Sequence, residues 1–77
     1  MDTVRNTFDR VVSHVGNHKF TAEQLGQPLV ELNIDSIELM EIFGMMEEEL
    51  GILLSEEELS EMETLNQLLA LVSSKVA

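Results

Sequence analysis

Ser36 follows Asp35 directly and stands at the head of a periodic apolar run, which puts one hydroxyl at the start of a helix. The unpaired N–H groups and the positive dipole end of such a start favour an attached or bound phosphate. A first-turn serine is also an ordinary helix-starting residue, so the pair by itself supports both a modified side chain and an inert one. His14 and His18 are four residues apart, a spacing that suits two metal ligands on one helix face. Gly16 lies between them and no third ligand is evident, so two polar histidines at a helix end is the simpler reading. A serine nucleophile needs a base and an oxyanion hole. The chain has no G-x-S-x-G elbow, and both histidines fall early in it, which argues against an enzyme. The carboxylate runs Glu47–Glu49 and Glu56–Glu58 lack the D-x-D-x-D-G spacing of a calcium loop and offer at most weak divalent binding on a solvated face.

The elements that must hold these residues are helical. Val4, Phe8, Val11, Val12 and Val15 line one side of a first helix from about Asp2 to Val15, and Gly16 and Asn17 suit the left-handed residue that stops it. From His18 to Ile34 no periodicity lasts long enough for a full helix. Thr21 with Gln24 forms a capping box for one turn, while Gly26, Pro28 and Asn33 punctuate the rest. Phe20, Leu25, Leu29, Val30 and Leu32 give this long loop side chains to pack, so it is expected to lie over the helices. Asp35 with Glu38 forms a D-x-x-E box that starts a second helix ending near Leu50 and Gly51. Ser55 with Glu58 marks a short third helix, and Thr64 with Gln67 a fourth that buries Leu65, Leu68, Leu69, Val72 and Val76. Ile52, Leu53 and Leu54 read as a buried connection. The expected fold is all-α, a small bundle of three longer helices and a short third one, with a long structured loop between the first and second.

The second helix has two faces. At 100° per residue, Leu39, Ile42, Phe43, Met46 and Leu50 cluster on a core side. Ile37, Met40, Glu41, Gly44 and Glu48 cluster opposite, mixing apolar residues with carboxylates where a solvated face would be polar throughout. Either a partner covers Ile37 and Met40, or the long loop does. Burial against a partner would contribute roughly 1.5 to 3 kcal/mol for each, and the flanking acids would speed encounter with a basic patch.

Charge is segregated along the chain. The formal net charge is -11, yet residues 1–30 balance Asp2, Asp9 and Glu23 against Arg5, Arg10 and Lys19. Residues 31–77 hold every other acid against Lys75 alone. That part repels nucleic acid and anionic membranes and attracts basic protein surfaces. With 77 residues the chain reads as one domain, 1–77. It has no Cys, so neither disulfides nor a thiolate zinc site supports it. No apolar stretch approaches the roughly 20 residues of a membrane span, and the first residues lack a signal-peptide core. These features fit a monomer in the cytoplasm.

The ordered set Leu32-Asn33-Ile34-Asp35-Ser36-Ile37, followed by Glu38-Leu39-Met40-Glu41, resembles the L-G-x-D-S-L/I signature of acyl carrier proteins and related carrier domains. The match continues downstream. Glu47-Glu48-Glu49-Leu50-Gly51-Ile52 resembles the family's acidic end of the second helix, and Ser55 to Glu58 and then Thr64-Leu65 resemble its short third helix and the start of its fourth. Nearly the whole chain is covered, most loosely over residues 17–31.

The resemblance implies that Ser36 receives a covalent 4'-phosphopantetheine from coenzyme A through a transferase, and that acyl groups ride as thioesters on the arm's thiol. A carrier of this kind catalyses nothing, and its thiol chemistry needs no Cys of its own. The resemblance also implies that Asp35 supports the helix start and transferase recognition. It makes the second helix the recognition element, through Ile37, Met40, Glu41, Gly44, Glu47 and Glu48, for transferase and acyl-loading or processing enzymes with basic surfaces. Two departures stand out. Asn33 occupies the usual Gly position and tolerates left-handed backbone, and Gly44 sits mid-helix, where it costs up to about 1 kcal/mol relative to Ala. The D-S-I form favours acyl cargo, in polyketide or mixed polyketide and nonribosomal peptide synthesis. Fatty acid synthesis and an aminoacyl or peptidyl carrier remain alternatives, and the rival of another class is an unmodified acidic helical adaptor.

Overall fold

The valine-rich stripe near the N-terminus forms helix α1 (Thr3–Gly16), buries Val4, Thr7, Phe8, Val11 and Val12, and carries half-buried Val15 at its edge. The computed structural model describes residues 3–76, so the expected start at Asp2 lies outside the described residues. After α1 come a single turn α2 (Ala22–Leu25), a 3-10 turn (Leu29–Glu31), α3 (Ser36–Leu50), α4 (Glu56–Ser60) and α5 (Leu65–Val76). The second, short third and fourth helices read from the sequence are therefore α3, α4 and α5. Helix α1 packs chiefly on α3 and also on α5. Their shared core is Phe8, Val11, Val12, Ile42, Met46, Leu65, Leu68 and Val72, all fully buried. Among the described residues there is no strand.

The chain from residue 17 to 35 is anchored at several points. Asn17 adopts the left-handed conformation that ends α1, at φ 56°. Gly16 stays helical as the last residue of α1, where the sequence admitted either residue for the left-handed position. Leu25 is buried, and Phe20, Leu29 and Leu32 pack against the core. The Leu29 N–H donates to the Glu63 carbonyl at 2.8 Å, beside an antiparallel bridge between Pro28 and Thr64. This fastens the loop to the connection between α4 and α5. The Cα radius of gyration, 11.3 Å, matches the roughly 11.5 Å of a compact chain this long, as expected of a loop laid against the helices.

Four apolar expectations need correction. Val30, expected to pack the loop, is 90% exposed, because the 3-10 turn puts Leu29 and Leu32 on one side and Val30 on the other. Leu53 is 81% exposed, since in the irregular 52–54 segment burial alternates and only Ile52 and Leu54 face the core. Val76 is exposed as the last residue of α5, and Leu69 is only partly buried.

Candidate functional site

Asp35 ends the loop with extended backbone (φ -61°, ψ 141°) and caps α3, its Oδ1 accepting the Ile37 N–H at 2.8 Å. Its carbonyl accepts the first helical bond, from the Leu39 N–H at 2.9 Å. The approach to this cap uses Asn33 in the left-handed conformation, φ 56°. Asn therefore does at this position what Gly would do with less strain. Ser36, the first residue of α3, is exposed, and its hydroxyl makes no hydrogen bond within the described chain. At a helix start the amides of Ser36 and Glu38 have no partner four residues back within the helix.

The D-x-x-E box expected here closes only halfway. Asp35 holds an amide, but it is that of Ile37 and not that of Glu38. Glu38 does not turn back to the cap; its Oε1 meets His18 Nε2 at 3.2 Å. His18 is thus a half-buried partner and not a free helix-end residue. Its ring stacks on Phe20 at 5.1 Å between centroids. His14 stays exposed, and among the described residues no group of three or more His, Cys, Asp or Glu is arranged to hold a metal.

Along the outward side of α3, Ile37 is 68% and Met40 65% exposed, so the loop does not cover them. Glu41, Gly44 and Glu48 are exposed on the same strip, and a methyl group at Gly44 would meet nothing within 4 Å. Glu47 stands apart: it is half-buried at the strip's edge, its Oε2 accepting the Leu54 N–H at 2.7 Å. That bond secures the exit from α3, beside Gly51 at φ 65°, whose N–H donates to the Glu47 carbonyl. The opposite side buries Ile42, Phe43 and Met46, with Leu39 and Leu50 partly buried.

Among the described residues, no Lys or Arg side chain pairs with Glu41 or Glu48. Arg5 pairs with Asp9, Arg10 with Glu49 and Lys75 with Glu58, so three of the four Lys and Arg side chains are engaged away from Glu41 and Glu48. Glu58 is held below the usual carboxylate range, first by the Ser55 N–H and then by Lys75. The His18–Glu38 pair escaped the sequence reading because Glu38 has two competing roles, box partner and tertiary partner, at one spacing. The signal for it was Gly16: a side chain there would collide with the His18 ring at 2.4 Å.

The family model described as the phosphopantetheine attachment site matches residues 19–72, from the loop that leaves α1 into α5. No curated protein and no solved structure matches the chain. Carriers of this family bear a covalently attached 4'-phosphopantetheine, work with phosphopantetheinyl transferases and synthase enzymes, and are not themselves catalysts. A match over most of the chain, on an all-α fold of the expected helix order, makes this protein a member of the phosphopantetheine attachment-site family, a phosphopantetheine-bearing carrier.

Proposed function

We propose that Ser36 is the residue that takes the arm, and that the chain presents acyl intermediates to the enzymes of polyketide or mixed polyketide and nonribosomal peptide synthesis. The observation that carries the attachment site is the exposed, unbonded Ser36 hydroxyl one residue beyond the Asp35 cap. It opens the helix that shows both apolar residues and unneutralised carboxylates to solvent. The residues fit the group: a phosphodiester on Ser36 meets a helix start with unpaired amides, and Asp35 is already committed to the Ile37 amide. In attachment, the bond from Ser36 Oγ to the phosphorus of coenzyme A forms and the bond from that phosphorus to 3',5'-ADP breaks. The serine proton leaves to a base of the transferase. Once attached, the arm supplies a terminal thiol for thioester chemistry.

Asp35 holds the helix start for the transferase. Ile37 and Met40 form the apolar centre of the docking face, Gly44 leaves room for close approach, and Glu41 and Glu48 steer basic partner surfaces toward it. Glu47 contributes at the edge while securing the end of α3. Residues 1–77 act as one domain, as a monomer in the cytoplasm. The D-S-I form supports acyl cargo; mass spectrometry of the thioester recovered from the native host distinguishes polyketide-type, fatty acyl and aminoacyl groups. The site is tested by coexpression with a broad-specificity transferase, intact mass and peptide mapping. Wild type gains one arm on Ser36, whereas Ser36→Ala keeps its helical spectrum and gains none. An arm on the Ala variant would overturn the assignment.

A further inference from the structure

Four helix starts in this chain carry a capping-box pattern, and three close on themselves. Gln24 reaches back to the Thr21 N–H at 2.8 Å, Glu58 to the Ser55 N–H at 2.9 Å, and Gln67 to the Thr64 N–H at 3.0 Å. Helix α3 is the exception. Its box residue, Glu38, is diverted to His18, on the connection that leaves α1. The contact is built to fit. The His18 ring lies so close over Gly16 that a Cβ there would stand 2.4 Å from Nε2 and 2.8 Å from Glu38 Oε2. Gly16 has helical backbone, so glycine is needed there for space and not for its φ. Phe20 stacks against the ring's face.

One corner therefore ties the end of α1, the long loop and the first turn of α3 together, with Glu38 two residues from Ser36. The pair is part-buried, and its two side chains come from segments twenty residues apart. What the contact does is fix where the first turn of α3 lies relative to α1. We propose that Gly16, His18 and Glu38 are positioning residues for the serine at the head of α3, setting the aim of its first turn and so the rate at which Ser36 accepts the arm. This rests on Ser36 being the attachment site.

The test uses the full chain with a broad-specificity phosphopantetheinyl transferase and coenzyme A, in four forms: wild type, His18→Ala, His18→Gln and Gly16→Ala. His18→Ala removes the partner. Gly16→Ala drives the ring off Glu38 while leaving both partners in place and improving helix propensity, so it breaks the contact by a route different from His18→Ala. His18→Gln keeps an N–H donor for Glu38. The expected result is that His18→Ala and Gly16→Ala lower kcat by about tenfold or more with KM nearly unchanged, because docking is intact and orientation is lost. His18→Gln recovers most of the rate.

Hydrogen exchange at the Leu39 amide, the first helical bond of α3, reads the corner independently of where the arm sits. It should quicken in the Ala variants and not in His18→Gln. Unchanged exchange, or wild-type kcat in both Ala variants, overturns the positioning role. Faster exchange in the Ala variants with no arm on Ser36 of wild type would instead sink the attachment reading and leave the corner's mechanical role standing.

Discussion

Truncating Phe43 and Met40 in parallel separates the two faces of α3. Phe43 is 7% exposed and packs in the core, whereas Met40 projects from the opposite side. Removing a buried phenyl ring costs roughly 3 to 5 kcal/mol, transfer and cavity terms together. A domain of 77 residues has about 4 to 12 kcal/mol in all, so Phe43→Ala stands near or past the unfolding threshold. A fully buried Met side chain contributes about 1.5 to 3 kcal/mol; with only a third of Met40 covered, Met40→Ala should cost below about 1 kcal/mol. The chain has no Trp or Tyr, so urea melts are followed by far-UV circular dichroism. At an m-value near 1 kcal/mol/M, the Phe43 variant should lose about 3 M or more of its midpoint and the Met40 variant less than about 1 M. Equal midpoint shifts would refute the division of α3 into a core side and a solvent-facing side.

Reversing Glu41 and Glu48 to Lys should lower the association rate with a transferase or loading enzyme, and added salt should shrink the difference from wild type. Met40→Asp should instead raise the dissociation rate, and surface binding kinetics at two salt concentrations read both effects. Asn33→Gly should be neutral or stabilising, and Asn33→Ala should cost about 1 kcal/mol because φ is 56° there; thermal melts distinguish them. Glu58 is held below the ordinary carboxylate range by the Ser55 N–H and Lys75. Its contribution is therefore present above its unfolded pKa and lost as pH falls through the lower folded one. An acid titration of Glu58→Gln should accordingly show a shallower loss of helicity in that window than wild type.

The helices were readable because their signals are local. Thr21 with Gln24, Ser55 with Glu58 and Thr64 with Gln67 each close a box within four residues, and Asn17, Asn33 and Gly51 take the left-handed positions that their chemistry favours. The two faces of α3 followed from period alone. Tertiary choices were not readable. Glu38 satisfies a local pattern and a distant histidine equally well on paper, and only the placement of α1 decides between them. Val30 and Leu53 failed for a related reason: apolar type was legible, but direction in a 3-10 turn or a short irregular segment depends on what the segment is fastened to. At the proposed site, the Asp35 cap ahead of Ser36 was evident, while the position of Glu47 at the strip's edge depended on where Leu54 returns.

The fastening of the long loop has a kinetic consequence. Beside the bridge of Pro28 to Thr64, the Leu29 amide, donating to the Glu63 carbonyl, is the one backbone hydrogen bond among the described residues that joins the loop to the connection between α4 and α5. That link closes a ring of more than thirty residues and brings no helix of its own. Its closure entropy must be met before it returns anything, which places it late in folding and first in opening. The Leu29 amide is thus a natural reporter: its exchange measures undocking of the loop from the rest of the bundle, on a free-energy scale separate from the melting of α1, α3 and α5.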